Sequence, residues 1–375
     1  MKTEVWFAPG RANLMGEHTD YNEGFVLPFA LAQGVTAMAS ARDDGLLVLR
    51  SKQVPDEPVT VPLGSVVPGA VTGWAAYPAG VAWALHAAGY AVRGASIDVD
   101  SDLPVGAGVS SSAALECSVA LALCSLSGVS VPRPELAAIA KRAENEFVGA
   151  PTGIIDQSAA LLATAGHALL LDCGTREATQ VPFRPAEAGF SALVIDTRVT
   201  HALVSGEYAV RRAECEAATR LLGVPALGAV TDVHALDKLA DPVLRRRARH
   251  VITDSARARA IGAVLQDAAR VDAGIGEDKV YAFIGTLLVE GHASLRDDLE
   301  VSWPEADVAV ETAIAAGAYG AKMIGGGFGG SVLALVPVEY AGTVRAAVTE
   351  TFMARGWTPP EFLDAVPSPP ARQLG

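Results

Sequence analysis

Cysteine is scarce in this chain. The four present, Cys117, Cys124, Cys173 and Cys215, include no Cys-x-x-Cys pair. That excludes the common zinc and dithiol motifs, and so few thiols in a chain this long point to a reducing, cytoplasmic setting rather than a disulfide scaffold. Long apolar runs are missing as well. No stretch of 18 apolar residues free of charge suggests a membrane span. The opening residues Met-Lys-Thr-Glu-Val-Trp-Phe-Ala-Pro-Gly lack the apolar core of a secretory signal. Positive charge is in deficit: 29 basic residues against 42 acidic ones leave a net charge of −13. Nucleic acid and anionic membrane are therefore disfavoured as partners, and any bound phosphate must be held by a local site. Repeats of solenoid length and low-complexity tracts are absent too.

What is present is a hydrophobic fraction of 50% over 375 residues, enough for a well-buried globular protein with room for two domains. Apolar alternation predicts strands over 26–30, 35–41, 46–51, 59–62 and 95–99, then 168–172, 190–196 and 331–336. Helical spacing predicts helices over 74–88, 110–126, 134–147, 155–164, 207–222, 242–272, 307–316 and 340–355. The order of elements fits an α+β fold of two lobes. The arginine trio 245–247 reads as surface, most charges of 207–222 as a solvated face, and the Pro-rich tail from 366 as frayed.

Four segments carry candidate chemistry. Residues 10–28 crowd Arg11, Asn13, Glu17, His18, Asp20, Tyr21 and Asn22 between apolar flanks. Carboxylates that accept and His or Tyr that orient suit a polyhydroxylated ligand, although turns favour Gly, Asn and Asp for backbone reasons alone. Residues 102–114 place Pro104, Gly106, Ala107, Gly108, Val109, Ser110, Ser111, Ser112 and Ala113 directly before an Ala- and Leu-rich helix. Unpaired N–H groups at such a helix start form an anion site, and a serine run is also an ordinary N-cap. The segment has neither the Gly-Lys-Ser/Thr ending of a Walker loop nor a Gly-x-Ser-x-Gly elbow.

Asp156 follows two isoleucines, with Gly153 three residues before it, and could serve as a helix cap or as a working carboxylate. Glu144 reads on its own as a solvated helix charge, with Glu146 two residues on and facing elsewhere. Tyr208 reads as a half-buried helix aromatic. Of the seven histidines, His18 alone has a motif around it; His250 and His292, among others, read as surface or packed residues. Finally, residues 322–332 contain Gly-x-Gly-x-x-Gly at Gly325, Gly327 and Gly330. A dinucleotide fingerprint follows a strand and opens a helix. Here a helix precedes and a strand follows, so a Rossmann reading is poor.

The order of residues in 10–28 closely resembles the galactose-recognition motif of the galactokinases. Residues 102–114 resemble the Pro-x-x-x-Gly-(Leu/Val)-(Ser/Gly)-Ser-Ala-Ala motif of the GHMP kinases, and 322–332 resemble the third motif of that superfamily. The resemblance implies a GHMP kinase fold of two mixed α/β lobes, 1–190 and 191–375, with the active site in the cleft between them. It implies ATP and galactose as ligands and phosphoryl transfer to the anomeric hydroxyl, the entry step of galactose catabolism. Pro104 and the run from Gly106 to Ala113 would wrap the nucleotide triphosphate, and Ser112 with Glu144 would hold Mg2+. Asp156, in a segment similar to the family's Gly-Ile-Met-Asp-Gln with Ile155 replacing methionine, would orient or deprotonate the sugar hydroxyl beside Arg11. Glu17, His18, Asp20, Gly153 and Tyr208 would bind the sugar. A monomer is expected, with a weak homodimer as the alternative. The rivals are another small-molecule GHMP kinase and a non-catalytic sensor of sugar and ATP.

Overall fold

β-prone alternation in the first hundred residues supplies five strands of a six-stranded sheet. The computed structural model describes residues 3–104, 106–200, 204–270 and 277–374. Its strands are β1 (Glu4–Asn13), β2 (Phe25–Val26), β3 (Pro28–Arg42), β4 (Leu46–Ser51), β5 (Val59–Pro62), β6 (Gly94–Ser101), β7 (His167–Asp172), β8 (Ala178–Pro182), β9 (Phe190–Asp196), β10 (Gly320–Ile324), β11 (Ser331–Pro337), β12 (Glu361–Asp364) and β13 (Arg372–Leu374). Sheet order is β13-β1-β3-β6-β4-β5, with a four-stranded sheet β10-β11-β9-β12 and a small sheet β2-β7-β8. All neighbours are antiparallel except β4 and β6.

The helices are α1 (Ala76–Ala87), α2 (Ser111–Ser127), α3 (Arg133–Arg142), α4 (Ile155–Leu162), α5 (Val204–Leu222), α6 (Pro242–Arg270), α7 (Glu277–Ser294), α8 (Pro304–Ala315) and α9 (Ala341–Ala354). Helix α2 packs on β1 and β3, and from Ala113 to Ala120 its residues are buried without a break. Low polarity on every face permits this: a helix of mostly Ala, Leu, Ser and Cys can be enclosed by a sheet and other helices at once. Helices α8 and α9 pack against the second sheet, and α6 runs beside α5, α7 and the small sheet.

Several readings of the sequence change, and the glycine cluster 325–330 follows strand β10, not the expected helix. The expected strands 26–30 and 35–41 are instead the two-residue β2 and one continuous β3. The expected helix 134–147 stops as an α-helix at Arg142 and continues over Ala143–Val148 as a wider π turn. The tail expected to fray forms β13 against β1, in the register Val5↔Leu374 to Phe7↔Arg372. Arg247, taken for surface, is 2% exposed, because Glu214 and Glu300 accept its Nε and Nη2 at 2.7 and 2.6 Å. A buried guanidinium persists only when paired in this way. The end of the expected helix 242–272 lies outside the described residues. Strands β1, β8, β10 and β12 and helix α7 had no expectation.

The two halves expected to divide near residue 190 exchange material. β9 opens the second sheet at Phe190, whereas β13 returns the end of the chain to the first.

Candidate active site

β1, α2 and the glycine loop between β10 and β11 converge on one cavity of about 370 Å³. β1 supplies Arg11. A bulge between Pro9 and Arg11 shifts the register with β3, which resumes at Arg11↔Ala30, and the Arg11 N–H crosses to the carbonyl of Val109 at 3.1 Å. Its side chain leaves the strand in two directions, with Nε on Asp156 Oδ1 at 2.8 Å and Nη1 on the carbonyl of Gly108 at 2.6 Å. One guanidinium thus ties α4 to the loop before α2.

That loop contains Gly106 at φ 79°, Gly108 at φ 70° and Ser110 at φ 63°. Left-handed backbone at alternate residues turns successive N–H groups inward, and only glycine adopts it freely. Ser110 occupies the N-cap position of α2 but makes no side-chain cap bond. Its buried hydroxyl has no partner among the described residues, so it stands ready to donate to an anion. Gly106, Gly108, Val109, Ser110, Ser111 and Ser112 line the cavity. Ala107 and Ala113 are buried in the core, and Pro104 is not among the lining residues.

Glu144 sits behind this loop rather than on the cavity wall. In the π turn it is 3% exposed, with Oε1 accepting from Ser112 Oγ at 2.9 Å and Oε2 from Thr152 Oγ1 at 2.7 Å. Burial raises its carboxyl pKa, against the hydrogen bond from Thr152. A hydroxyl and a carboxylate oxygen in contact are the hard donors that Mg2+ takes one or two at a time from protein. Glu146, two residues on, pairs with Arg142 at the surface.

The segment after β1 forms the opposite wall. Glu17 is buried and saturated: Oε1 accepts from Lys322 Nζ at 3.0 Å and Gly325 N at 3.2 Å, and Oε2 from Asn13 Nδ2 at 2.8 Å. His18, at φ 60°, places Nε2 3.1 Å from the Gly326 carbonyl and Nδ1 2.8 Å from the Tyr21 hydroxyl. A carbonyl only accepts, so Nε2 carries the proton and Nδ1 accepts from tyrosine. Burial and then the neighbouring His250 push the His18 pKa down to about 3. Asp20 accepts from Tyr21 N at 2.9 Å and Ile155 N at 3.3 Å, and burial, then the charge of Asp156, raises its pKa. Gly153 lies so close to Asp20 that a Cβ there would fall 1.6 Å from Oδ2. Tyr208 of α5 stacks at a tilt over His18, with 4.8 Å between ring centres. All five line the cavity with Arg11 and Asp156.

Several supports escaped the sequence reading. Lys322 is fully buried, and a lone cation inside the apolar run Gly-Ala-Lys-Met-Ile was a usable signal. Asp254 and His250 on α6 hold the recognition segment from behind, Asp254 accepting from Gly16 N at 3.1 Å and His250 Nε2 donating to the Glu17 carbonyl at 2.9 Å. Nothing marks them among the other charges of that helix. Arg212 of α5, read as solvated, donates to the Pro151 carbonyl at 3.1 Å.

Comparison with known proteins gives the family. Residues 2–41 match the galactokinase galactose-binding signature, residues 76–164 the GHMP kinases N terminal domain and residues 281–353 the GHMP kinases C terminal domain. The galactokinase of Streptomyces coelicolor is 47% identical, covering 99% of this chain and 94% of its own. That of Mycobacterium tuberculosis is 41% identical with 99% of both chains covered. The structure of Lactococcus lactis galactokinase complexed with galactose superposes with a TM-score of 0.92 at 32% identity, covering 100% of this chain and 95% of that one. Methanococcus jannaschii mevalonate kinase, at 16% identity and a TM-score of 0.65, shares the fold. The chain belongs to the galactokinase family of the GHMP kinases.

Proposed function

We propose that this protein transfers the γ-phosphoryl group of ATP to the anomeric hydroxyl of α-D-galactose, giving galactose 1-phosphate and ADP. One observation carries the reading: Arg11 joins Asp156 to the phosphate-type loop at Gly108, in a cavity whose other wall is Glu17, His18 and Asp20. Phosphoryl transfer depends on positioning and charge stabilisation more than on covalent chemistry, and this pair supplies both. Asp156 orients the sugar hydroxyl and takes its proton, before or after transfer, while Arg11 holds that carboxylate and faces the charge developing on the phosphoryl group. The N–H groups of the loop from Gly106 to Ser112 cradle the phosphates. Glu17 and the Asp20–Gly153 contact shape the sugar wall, and Tyr208 closes it over His18.

Ser112 and Glu144 are the residues that hold Mg2+ in this reading. The ion, when bound with the nucleotide, neutralises phosphate charge. All four cysteines are free and buried, which supports a cytosolic protein, and we assign it as a monomer. No helix of the described residues is long and apolar enough to cross a membrane.

ADP release measured across galactose, N-acetylgalactosamine, glucose, homoserine and mevalonate tests the assignment. Galactose should give the highest kcat/KM. Asp156→Ala should lower kcat by roughly 10²–10⁴-fold, the range of a positioned acid–base group, with ATP binding retained. Substantial residual turnover in that variant removes Asp156 from the chemistry, and a preference for homoserine or mevalonate removes the sugar.

A further inference from the structure

Helix α2 buries a second carboxyl that the reaction above does not use. Glu116 lies one turn beyond Ser112, on the same helix face, and is fully buried. Burying an acid in this way is unfavourable unless it is well partnered. Its partner here is a single amide: Gln157 Nε2 donates to Glu116 Oε2 at 3.0 Å. The same nitrogen donates to Glu144 Oε2 at 2.8 Å, so both amide hydrogens are committed. Glu116 Oε1 and Gln157 Oε1 are left without partners among the described residues. An apolar side chain would pack this helix at lower cost, so the carboxyl is poorly explained by stability.

We propose that Glu116 is a positioning residue for Glu144, fixing through the amide of Gln157 the carboxylate that faces Ser112. Gln157 can present one hydrogen to Glu144 in a set direction only while its other hydrogen is anchored, and Glu116 is the anchor. Glu144 is then held with Oε2 turned to Thr152 and Gln157 and Oε1 turned to Ser112. Burial, then the charge of Glu144, holds the Glu116 carboxyl well above the usual carboxylate range, in keeping with a neutral anchor that adds no charge beside Glu144 and Asp156. The inference rests on the assignment of Ser112 and Glu144 to Mg2+.

Outer partners of metal ligands are worth roughly 10–100-fold in affinity, which sets the scale of the test. Glu116→Met, Gln157→Met and the double variant are compared by the Mg2+ concentration that half-saturates turnover and by calorimetry of Mg2+-dependent ADP binding without sugar. Each single variant should raise both midpoints about tenfold, and the double no further than the worse single. The galactose KM at saturating Mg2+ should hold. Glu116→Gln, which keeps the acceptor oxygen, should restore the Mg2+ response. The double variant removes the Glu116–Gln157 pair together and leaves Glu144 its donors from Thr152 and Ser112, so it keeps the test open if a single variant fails to fold. Unchanged Mg2+ midpoints, multiplicative effects or an equal loss of galactose binding overturn the proposal. Glu144→Ala separates the two layers: a shift there but not in Glu116→Met overturns this inference alone, and no shift in either overturns the metal assignment with it.

Discussion

Single side chains in the recognition segment are spent on the protein before they can be spent on a ligand. His18 shows the consequence most directly. Its pKa is pushed down to about 3, first by burial, against about 6.5 in an unfolded chain. The folded state therefore disfavours the proton: the stabilisation is complete above pH 6.5 and drains as pH falls towards 3, at up to about 1.4 kcal/mol per pH unit. Urea unfolding at pH 7, 6 and 5 should show a shallower loss for His18→Asn, by about 1 kcal/mol per unit, and asparagine also tolerates the left-handed backbone at this position. Parallel profiles would place the acid sensitivity elsewhere. Arg11, Glu17 and Asp20 were legible as a set because polar residues crowded between apolar flanks are conspicuous, whereas Asp156 on local grounds was as good a helix cap as a working carboxylate. Glu144 was not legible on local grounds, since a glutamate in a charged helix looks solvated whether or not the helix later rewinds.

Elements matter here mainly where they end or change pitch. Glu144 follows the buried stripe of Leu136 and Ala140 at helical spacing, and in the wider turn after α3 it meets Ser112. Many helices and strands were readable from apolar spacing, although β1, β8, β10, β12 and α7 were not, and the change of pitch leaves no periodic trace. The run between that turn and α4 is equally demanding. Gly153 fits because it lacks a Cβ, which would meet Asp20 Oδ2 at 1.6 Å. Gly153→Ala must displace either Asp20 or the backbone before α4, at about 1–3 kcal/mol for such overpacking. Its galactose KM should rise tenfold or more while ATP affinity stays within a few-fold. Equal losses for both substrates would show that the displacement reaches the phosphate loop.

The whole molecule closes on itself through its last residues. β13 covers the outer edge of β1, with Arg372 over the Phe7 ring at 5.0 Å and the Ala371 N–H on the Ala160 carbonyl of α4 at 2.8 Å. Deleting residues 372–375 should cost about 2 kcal/mol, counting edge hydrogen bonds at about 1 kcal/mol each, and should promote aggregation through the exposed edge. Denaturant midpoints and light scattering check this, and an unchanged midpoint would return the tail to the frayed role its prolines suggested. A proline-rich stretch reads as loop because pairing along a sheet edge asks for few N–H donors and leaves little pattern.

Composition, periodicity and the order of residues in three short segments carried the fold class, the phosphate-type loop and the polar recognition segment. These are local properties, set by neighbours within about one turn or one strand. Folding alone brought Arg11 onto Asp156, Lys322 onto Glu17, His250 behind the recognition segment and Glu116 behind Glu144. Each of these joins residues 28 to 305 positions apart. Buried polar groups must find partners wherever the packed chain happens to place them, and no local pattern encodes that choice.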